Sequence, residues 1–227
     1  MQVTVCTYNI HSWVGRGGNY DPQLTLQVLS EIGADIYALQ EFQTHPQNLE
    51  MVDWVGKETG LHPIPGPTLL RHKGTYGNVV LTRVQPSHIH RMDISVPGRE
   101  PRGALDVQFQ ELPSPLRIVA THLGLGPKER RTQMLALLEL FKDPVPGISV
   151  LMGDLNEWYL WGRPLHWLRN WFGTIPEPAT FPACFPIFAL DRIWVHPLKA
   201  LLTIQVHDTP LARRASDHLP LKAVIHI

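Results

Sequence analysis

The sequence predicts an α/β protein in which two packed β-sheets carry helices on their outer faces. Three observations lead there. Strand-like segments outnumber helical ones, they often follow each other with no helix between, and one of them, Ile148–Met152, is apolar without alternation. A doubly wound parallel sheet would interleave a helix between successive strands. A non-alternating apolar run suits a strand covered on both faces.

Taken in order, the first strand spans Val3–Ile10, and Cys6 within it reads as a small buried hydrophobe. Asp21-Pro22 is a cap followed by a first-turn proline, after which Leu24, Val28 and Ile32 share one face up to Gly33. A strand follows at Asp35–Gln40. Pro46 is expected to open a second helix that ends near Gly60. The Pro- and Gly-rich stretches 62–67, 95–103 and 173–186 read as loops. Strands are expected at Asn78–Thr82, Gly103–Glu111 and Leu116–Thr121; within the second, Leu105 to Gln110 alternates with period two. Pro127 opens the longest helix, with Met134, Leu137, Leu138 and Phe141 facing inward and Arg130 and Arg131 on the opposite, solvated side. After Ile148–Met152, a short helix starts at Pro164. Strands at Asp191–Val195, Leu201–Val206 and Leu219–Ile227 complete the chain. No internal repeat is present.

A length of 227 residues, 44% hydrophobic and 18% charged, suits one globular domain over residues 1–227. Twenty acidic residues balance twenty basic ones, so no global field draws in a polyanion. A nucleic-acid enzyme would need a local basic patch. The candidates are Arg71-His72-Lys73, Lys128-Arg130-Arg131 and Arg213-Arg214. Cys6 and Cys184 lack CxxC spacing, which argues against a zinc or disulfide framework. Neither a signal peptide nor a membrane-spanning run is read, so a cytoplasmic monomer is the default expectation.

The most informative stretch is Leu151-Met152-Gly153-Asp154-Leu155-Asn156-Glu157. Gly153 lets the backbone turn at the strand exit. Asp154 and Asn156, two residues apart, project the same way from an extended backbone. One can orient a water; the other can donate an amide N–H to a developing oxyanion. Both types also occur there as plain turn formers. Comparable pieces recur: Thr7-Tyr8-Asn9-Ile10-His11, Leu39-Gln40-Glu41, Thr121-His122-Leu123, Leu190-Asp191-Arg192-Ile193 and Ser216-Asp217-His218-Leu219-Pro220-Leu221. Asn9, Glu41, His122 and Asp154 end their strands, whereas Asp191 and His218 precede theirs. All meet at one rim only if the late strands run antiparallel to the early ones.

Together these pieces resemble, in order from Met1 to Ile227, the signature of the endonuclease/exonuclease/phosphatase superfamily of DNase I-like, metal-dependent phosphoesterases. The resemblance implies a four-layer α/β sandwich of two mixed sheets. It also implies hydrolysis of a phosphoester by in-line attack of an activated water. A hard divalent cation suits that chemistry. Glu41 and Asp217 are the expected ligands, with the Asn9 amide oxygen or a water as a third, for Mg²⁺ or Mn²⁺; one or two ions are left open. In the family pattern Asp154 positions the nucleophilic water and Asn156 holds a phosphate oxygen. His218, buttressed by Asp191, and His122 face the phosphate. Asp191 has an alternative partner in Arg192, and His122 an alternative structural role. Asn78, Arg102 and Trp158 are candidate substrate contacts. Arg102 is either a phosphate clamp or a solvated loop charge, and Asn78 either lies beside the substrate or initiates a strand. Trp13 is a second candidate pocket wall. Trp161, Trp167 and Trp171, if exposed near the site, could stack bases or enter a lipid interface, but most are expected to pack, and Trp171 beside Leu168 reads as core. His11 stands where the base-excision branch carries an acid, which leans away from the apurinic endonucleases. The substrate is expected to be a small-molecule phosphoester, a lipid headgroup or nucleic acid. A DNA or RNA nuclease is the alternative, and an inactive binding module is disfavoured by the intact residue set.

Overall fold

The computed structural model describes residues 1–44, 50–71, 74–142 and 146–227. Pro46 and the Arg71-His72-Lys73 side chains lie outside the described set. In chain order the elements are β1 (Gln2–Asn9), α1 (Pro22–Ile32), β2 (Ile36–Gln43), α2 (Met51–Thr59), β3 (His62–Arg71), β4 (Gly74–Thr82), β5 (His88–Asp93) and β6 (Gly103–Phe109). Then come β7 (Leu116–His122), α3 (Pro127–Lys142), β8 (Ile148–Asp154), α4 (Arg163–Phe172), β9 (Asp191–His196), β10 (Leu201–Val206), α5 (Ala212–Ala215) and β11 (Leu221–His226). One sheet has the order β10-β11-β1-β2-β4-β3 and the other β5-β6-β7-β8-β9. Both are mixed: β1–β2 and β7–β8 are parallel, and the remaining pairs antiparallel.

Three buried apolar clusters separate four layers. Val5, Val80, Ile118, Val150 and Ile225 belong to the core between the sheets. Tyr8, Leu39, Val28 and Val55 fill the space between the first sheet and helices α1 and α2. Leu151, Met134, Leu137 and Phe172 do the same between the second sheet and α3 and α4. Strand β8 thus sends Val150 and Met152 one way and Leu151 the other, both into apolar surroundings, which is why its sequence does not alternate. At α1 the Asp21 side chain accepts the Leu24 N–H at 3.1 Å, and Gly33 closes the helix at φ 60°.

Two strands go beyond the sequence reading. Residues 62–67, read as a loop, begin β3, and β5 was not expected at all. Both are edge strands. Pro63, Pro65 and Pro67 are tolerated in β3 because an edge leaves every second N–H without a ladder partner. Strand β5 is mostly exposed, so it lacks an apolar period.

The helix surface around Arg130 also needs correcting. Arg131 is half-buried, but Arg130 is buried and donates to Glu157 through Nε and Nη2, each at 3.2 Å. Its Nη1 donates to the Leu125 carbonyl at 2.6 Å. The residue read as solvated is an internal cation that anchors the turn after β8.

Candidate active site

Strand register gathers the motifs at one rim. Parallel pairing sets His122 level with Asp154, and antiparallel pairing sets Asp191 level with Asp154. On the other sheet Asn9 is level with Gln40, and Glu41 follows in a bulge between Leu39 and Phe42. Strand β11 runs antiparallel to β1, so the residues before it return to the end of β1. There the Ser216 hydroxyl donates to the Asn9 carbonyl at 2.8 Å and accepts the His218 N–H at 3.2 Å. Among the described residues, the non-glycine positions with left-handed φ are His11, Ser12, Trp13, Glu41 and Asn156, all in or beside these motifs. Such conformations cost on the order of 1–3 kcal/mol each and concentrate where surroundings over-determine them.

Asp154 is the hub. It is buried, and its Oδ1 accepts the Asn156 backbone N–H at 2.9 Å, which shapes the turn. Its Oδ2 accepts from Asn9 Nδ2 at 3.0 Å and lies 3.5 Å from His122 Nε2 and 3.8 Å from His218 Nε2. Asn9 Nδ2 also donates to Glu41 Oε1 at 3.0 Å, while its oxygen accepts the His11 N–H at 3.0 Å. The Asn9 amide therefore turns nitrogen, not oxygen, toward the carboxylates, unlike the orientation a metal ligand needs. Burial pushes the Glu41 carboxyl up, against the Asn9 hydrogen bond, and the charges of Asp154 and Asp217 push the same way as burial. This surplus of hard oxygen donors fits a divalent cation. Asp217 is more open and lies 3.8 Å from His11 Nδ1.

The two histidines have opposite characters. His218 Nδ1 donates to Asp191 Oδ2 at 2.8 Å, and Asp191 also accepts the Thr180 hydroxyl at 2.6 Å. Burial alone would lower the His218 pKa, but the Asp191 charge and hydrogen bond, then Asp154 and Asp217, outweigh it and lift it to about 10. Asp154, Asp191 and His218 lie close enough to enclose an ion. The hydrogen bond from His218 Nδ1 to Asp191 gives the same trio a second reading, as a proton-holding unit. Asp191 does not pair with Arg192, which points away to Glu177 at 2.9 Å.

His122 is fully enclosed. Burial pushes its pKa down to about 3, with the Arg102 and His218 charges in the same direction and Asp154 opposed. Arg102 Nη1 lies 2.9 Å from His122 Nδ1. A guanidinium only donates, so Nδ1 is the acceptor and the single ring proton sits on Nε2. Nε2 faces Asp154 Oδ2 at 3.5 Å and lies 3.0 Å from the Asn156 amide nitrogen, which donates to the Leu123 carbonyl at 2.8 Å.

The remaining predicted contacts divide. Arg102 is buried, between His122 and Glu100 at 3.1 Å, rather than a solvated loop charge. Asn78 is buried in β4 and donates to the Gly103 carbonyl at 3.1 Å, bridging the sheets beside Arg102. Trp158 is partly exposed and packs edge-on against Phe181 and Phe188. Trp13 is no pocket wall: it is buried against Phe42, with Nε1 donating to the Gln43 carbonyl at 2.8 Å. Trp171, expected in the core, is 42% exposed, and Trp161 is exposed at 79%. Sequence reasoning missed Thr180, Phe181, whose ring lies 4.8 Å from that of His218, and the Arg130–Glu157 pair. Only Glu157 carried a signal, as the acid next to Asn156.

Comparison with known proteins identifies the family and the fold. The sequence model of the Endonuclease/Exonuclease/phosphatase family matches residues 6–218. The uncharacterized protein YbhP of Escherichia coli strain K12 is 31% identical over 223 residues, covering 86% of this chain and 85% of its own. An endonuclease/exonuclease/phosphatase from Beutenbergia cavernae DSM 12333 superposes with a TM-score of 0.78 at 19% identity, over 100% of this chain and 72% of that one. The mannosyl-6-phosphatase Bt3783 of Bacteroides thetaiotaomicron VPI-5482 gives 0.76 at 16% identity, over 99% and 100%. The chain belongs to the endonuclease/exonuclease/phosphatase family.

Proposed function

We propose that the protein is a divalent-metal-dependent hydrolase that cleaves a phosphodiester by in-line attack of a water activated at Asp154. The observation that carries this reading is the environment of Asp154 Oδ2: one amide donor at 3.0 Å and two imidazole nitrogens at 3.5 and 3.8 Å, of opposite charge character. A buried carboxylate so placed would accept a proton from the attacking water. Asn156 Nδ2 and His122 Nε2, 3.0 Å apart beside Asp154, would together hold a phosphoryl oxygen when substrate enters. His218, held by Asp191, presents its Nε2–H to the other side of the same space, where it stabilises the pentacovalent state or protonates the leaving oxygen.

Glu41 and Asp217 would hold Mg²⁺, or Mn²⁺ with the same oxygens, and Asn9 orients Glu41 rather than binding the ion. When bound, the ion supplies a Lewis acid that neutralises phosphoryl charge and favours the attacking hydroxide. The full residue set supports catalysis over a binding-only role. The test is a hydrolysis panel with Mg²⁺ or Mn²⁺ and an EDTA control. It includes bis-p-nitrophenyl phosphate, p-nitrophenyl phosphate, phospholipids, plasmid, single-stranded DNA and RNA. Metal-dependent turnover of a diester is expected; turnover of DNA or RNA alone would transfer the reading to a nuclease. Asp154→Ala and His218→Ala should each lower turnover by roughly 10²–10⁴-fold with the fold intact. Wild-type rates in either would end the assignment.

A further inference from the structure

Among the described residues, seven of the fourteen exposed large apolar side chains fall between positions 158 and 187. Six of them occupy two loops: Trp158, Tyr159, Leu160 and Trp161 after the Asp154–Asn156 turn, and Phe185 and Ile187 in the loop closed by the Phe181–Phe188 bridge. The loops touch, because the Trp158 ring packs at 5.7 Å on Phe181 and 4.9 Å on Phe188. Phe181 in turn lies 4.8 Å from the His218 ring. The apolar tips thus start two rings from the catalytic imidazole. Scattered exposed hydrophobics need no explanation, but a contiguous set beside a site marks an interaction surface.

The charge around the tips selects the occupant. Residues 158–168 and 181–190 contain no acid, and Arg163 is exposed beside Trp161. Arg213 Nη1 donates to the Cys184 carbonyl at 2.7 Å, which sets α5 against the Phe185 loop. Asp208 balances Arg213, but exposed Arg214 follows, and Arg16, also exposed, donates its backbone N–H to the Arg214 carbonyl at 3.0 Å. Exposed aromatic and aliphatic tips with a cationic flank are the composition that enters an anionic lipid interface. Nucleic acid fits less well. Leu160 and Ile187 have no ring to stack on a base, and the Tyr159 and Trp161 rings lean on each other at 5.5 Å.

We propose that these two loops dock the protein on an anionic phospholipid surface and so bring the site to a phosphoester at the bilayer boundary. The second half rests on the phosphoesterase reading above; the first does not. The experiment is flotation of the full chain with phosphatidylcholine vesicles, with and without phosphatidylglycerol. Wild type, Trp161→Glu/Phe185→Glu, Trp161→Ser and Asp154→Ala are compared, and hydrolysis of soluble bis-p-nitrophenyl phosphate is measured on each. Anionic vesicles should carry wild type and Asp154→Ala equally, and raised salt should weaken both. The double variant should lose roughly tenfold or more in partitioning, and Trp161→Ser several-fold, while both keep soluble turnover. No flotation, or undiminished flotation of both surface variants, overturns the proposal. So does single-stranded DNA binding that the double variant loses while vesicles are ignored. Flotation without any soluble turnover would leave the docking surface standing and remove the phosphoesterase reading.

Discussion

Arg130→Met tests whether the turn carrying Asn156 is held by an internal ion pair. The wild-type guanidinium is about 1% exposed and makes two bonds of 3.2 Å to Glu157, itself 4% exposed. Among the described residues, the Glu157 carboxylate then keeps the Tyr159 N–H at 3.3 Å and the more distant charge of Arg192. Breaking a buried pair on one side typically costs about 3–5 kcal/mol, because the surviving charge stays buried and unpaired. In a chain of this size each kcal/mol lowers Tm by about 2–4 °C, so a fall of roughly 6–20 °C is expected. Urea denaturation followed by tryptophan fluorescence reads the free energy, and calorimetry the Tm. The companion Arg130→Met/Glu157→Met should recover much of the loss, since neither charge remains. A loss under about 0.5 kcal/mol, the scale of an exposed substitution, would refute the buried-anchor reasoning. Turnover of Arg130→Met, measured well below its Tm, should fall too, because Glu157 adjoins Asn156.

Two further outcomes follow from the geometry. His122, held neutral with a pKa near 3, binds its proton in the unfolded chain below about 6.5 but not in the folded one. Its contribution is therefore intact above pH 6.5 and is lost as pH falls toward 3, at up to about 1.4 kcal/mol per pH unit. The stability difference between wild type and His122→Gln should shift by that slope between pH 5.5 and 4.5; a flat difference would contradict a neutral His122. Gly153→Ala should fail to fold or lose several kcal/mol, because an added Cβ would sit 1.9 Å from the Thr121 carbonyl oxygen of the neighbouring strand; near-wild-type stability by urea titration would show that β7 and β8 can part at that point.

The site was legible in the sequence where chemistry and strand ends coincide. Asn9, His122, Asp154 and Asp191 sit at strand ends, Glu41 at a bulge near the end of β2 and Asp217-His218 just before β11, so short motifs locate them, and the register then brings them together. Illegible were the residues whose role depends on distant partners. Arg130 follows the helical period of a solvent face, yet a turn 27 residues away covers it. Thr180 and Phe181 lie in a Pro-rich segment with no period, and only the fold brings them to Asp191 and His218. Trp13 is buried where a pocket wall is expected, because a lone tryptophan in a loop carries no face information. Strand β3 was hidden by its prolines, which position at an edge excuses.

The hydrogen bond from Asn9 to Asp154 joins side chains that belong to different sheets. The reacting geometry is therefore a gauge of how the two sheets sit on each other. Thinning the apolar layer between them, for instance at Val150 or Ile118, could let one sheet settle by a fraction of an ångström. Alignment would then suffer before the protein came near unfolding. Tolerance to change in this interior should accordingly be narrower for turnover than for folding.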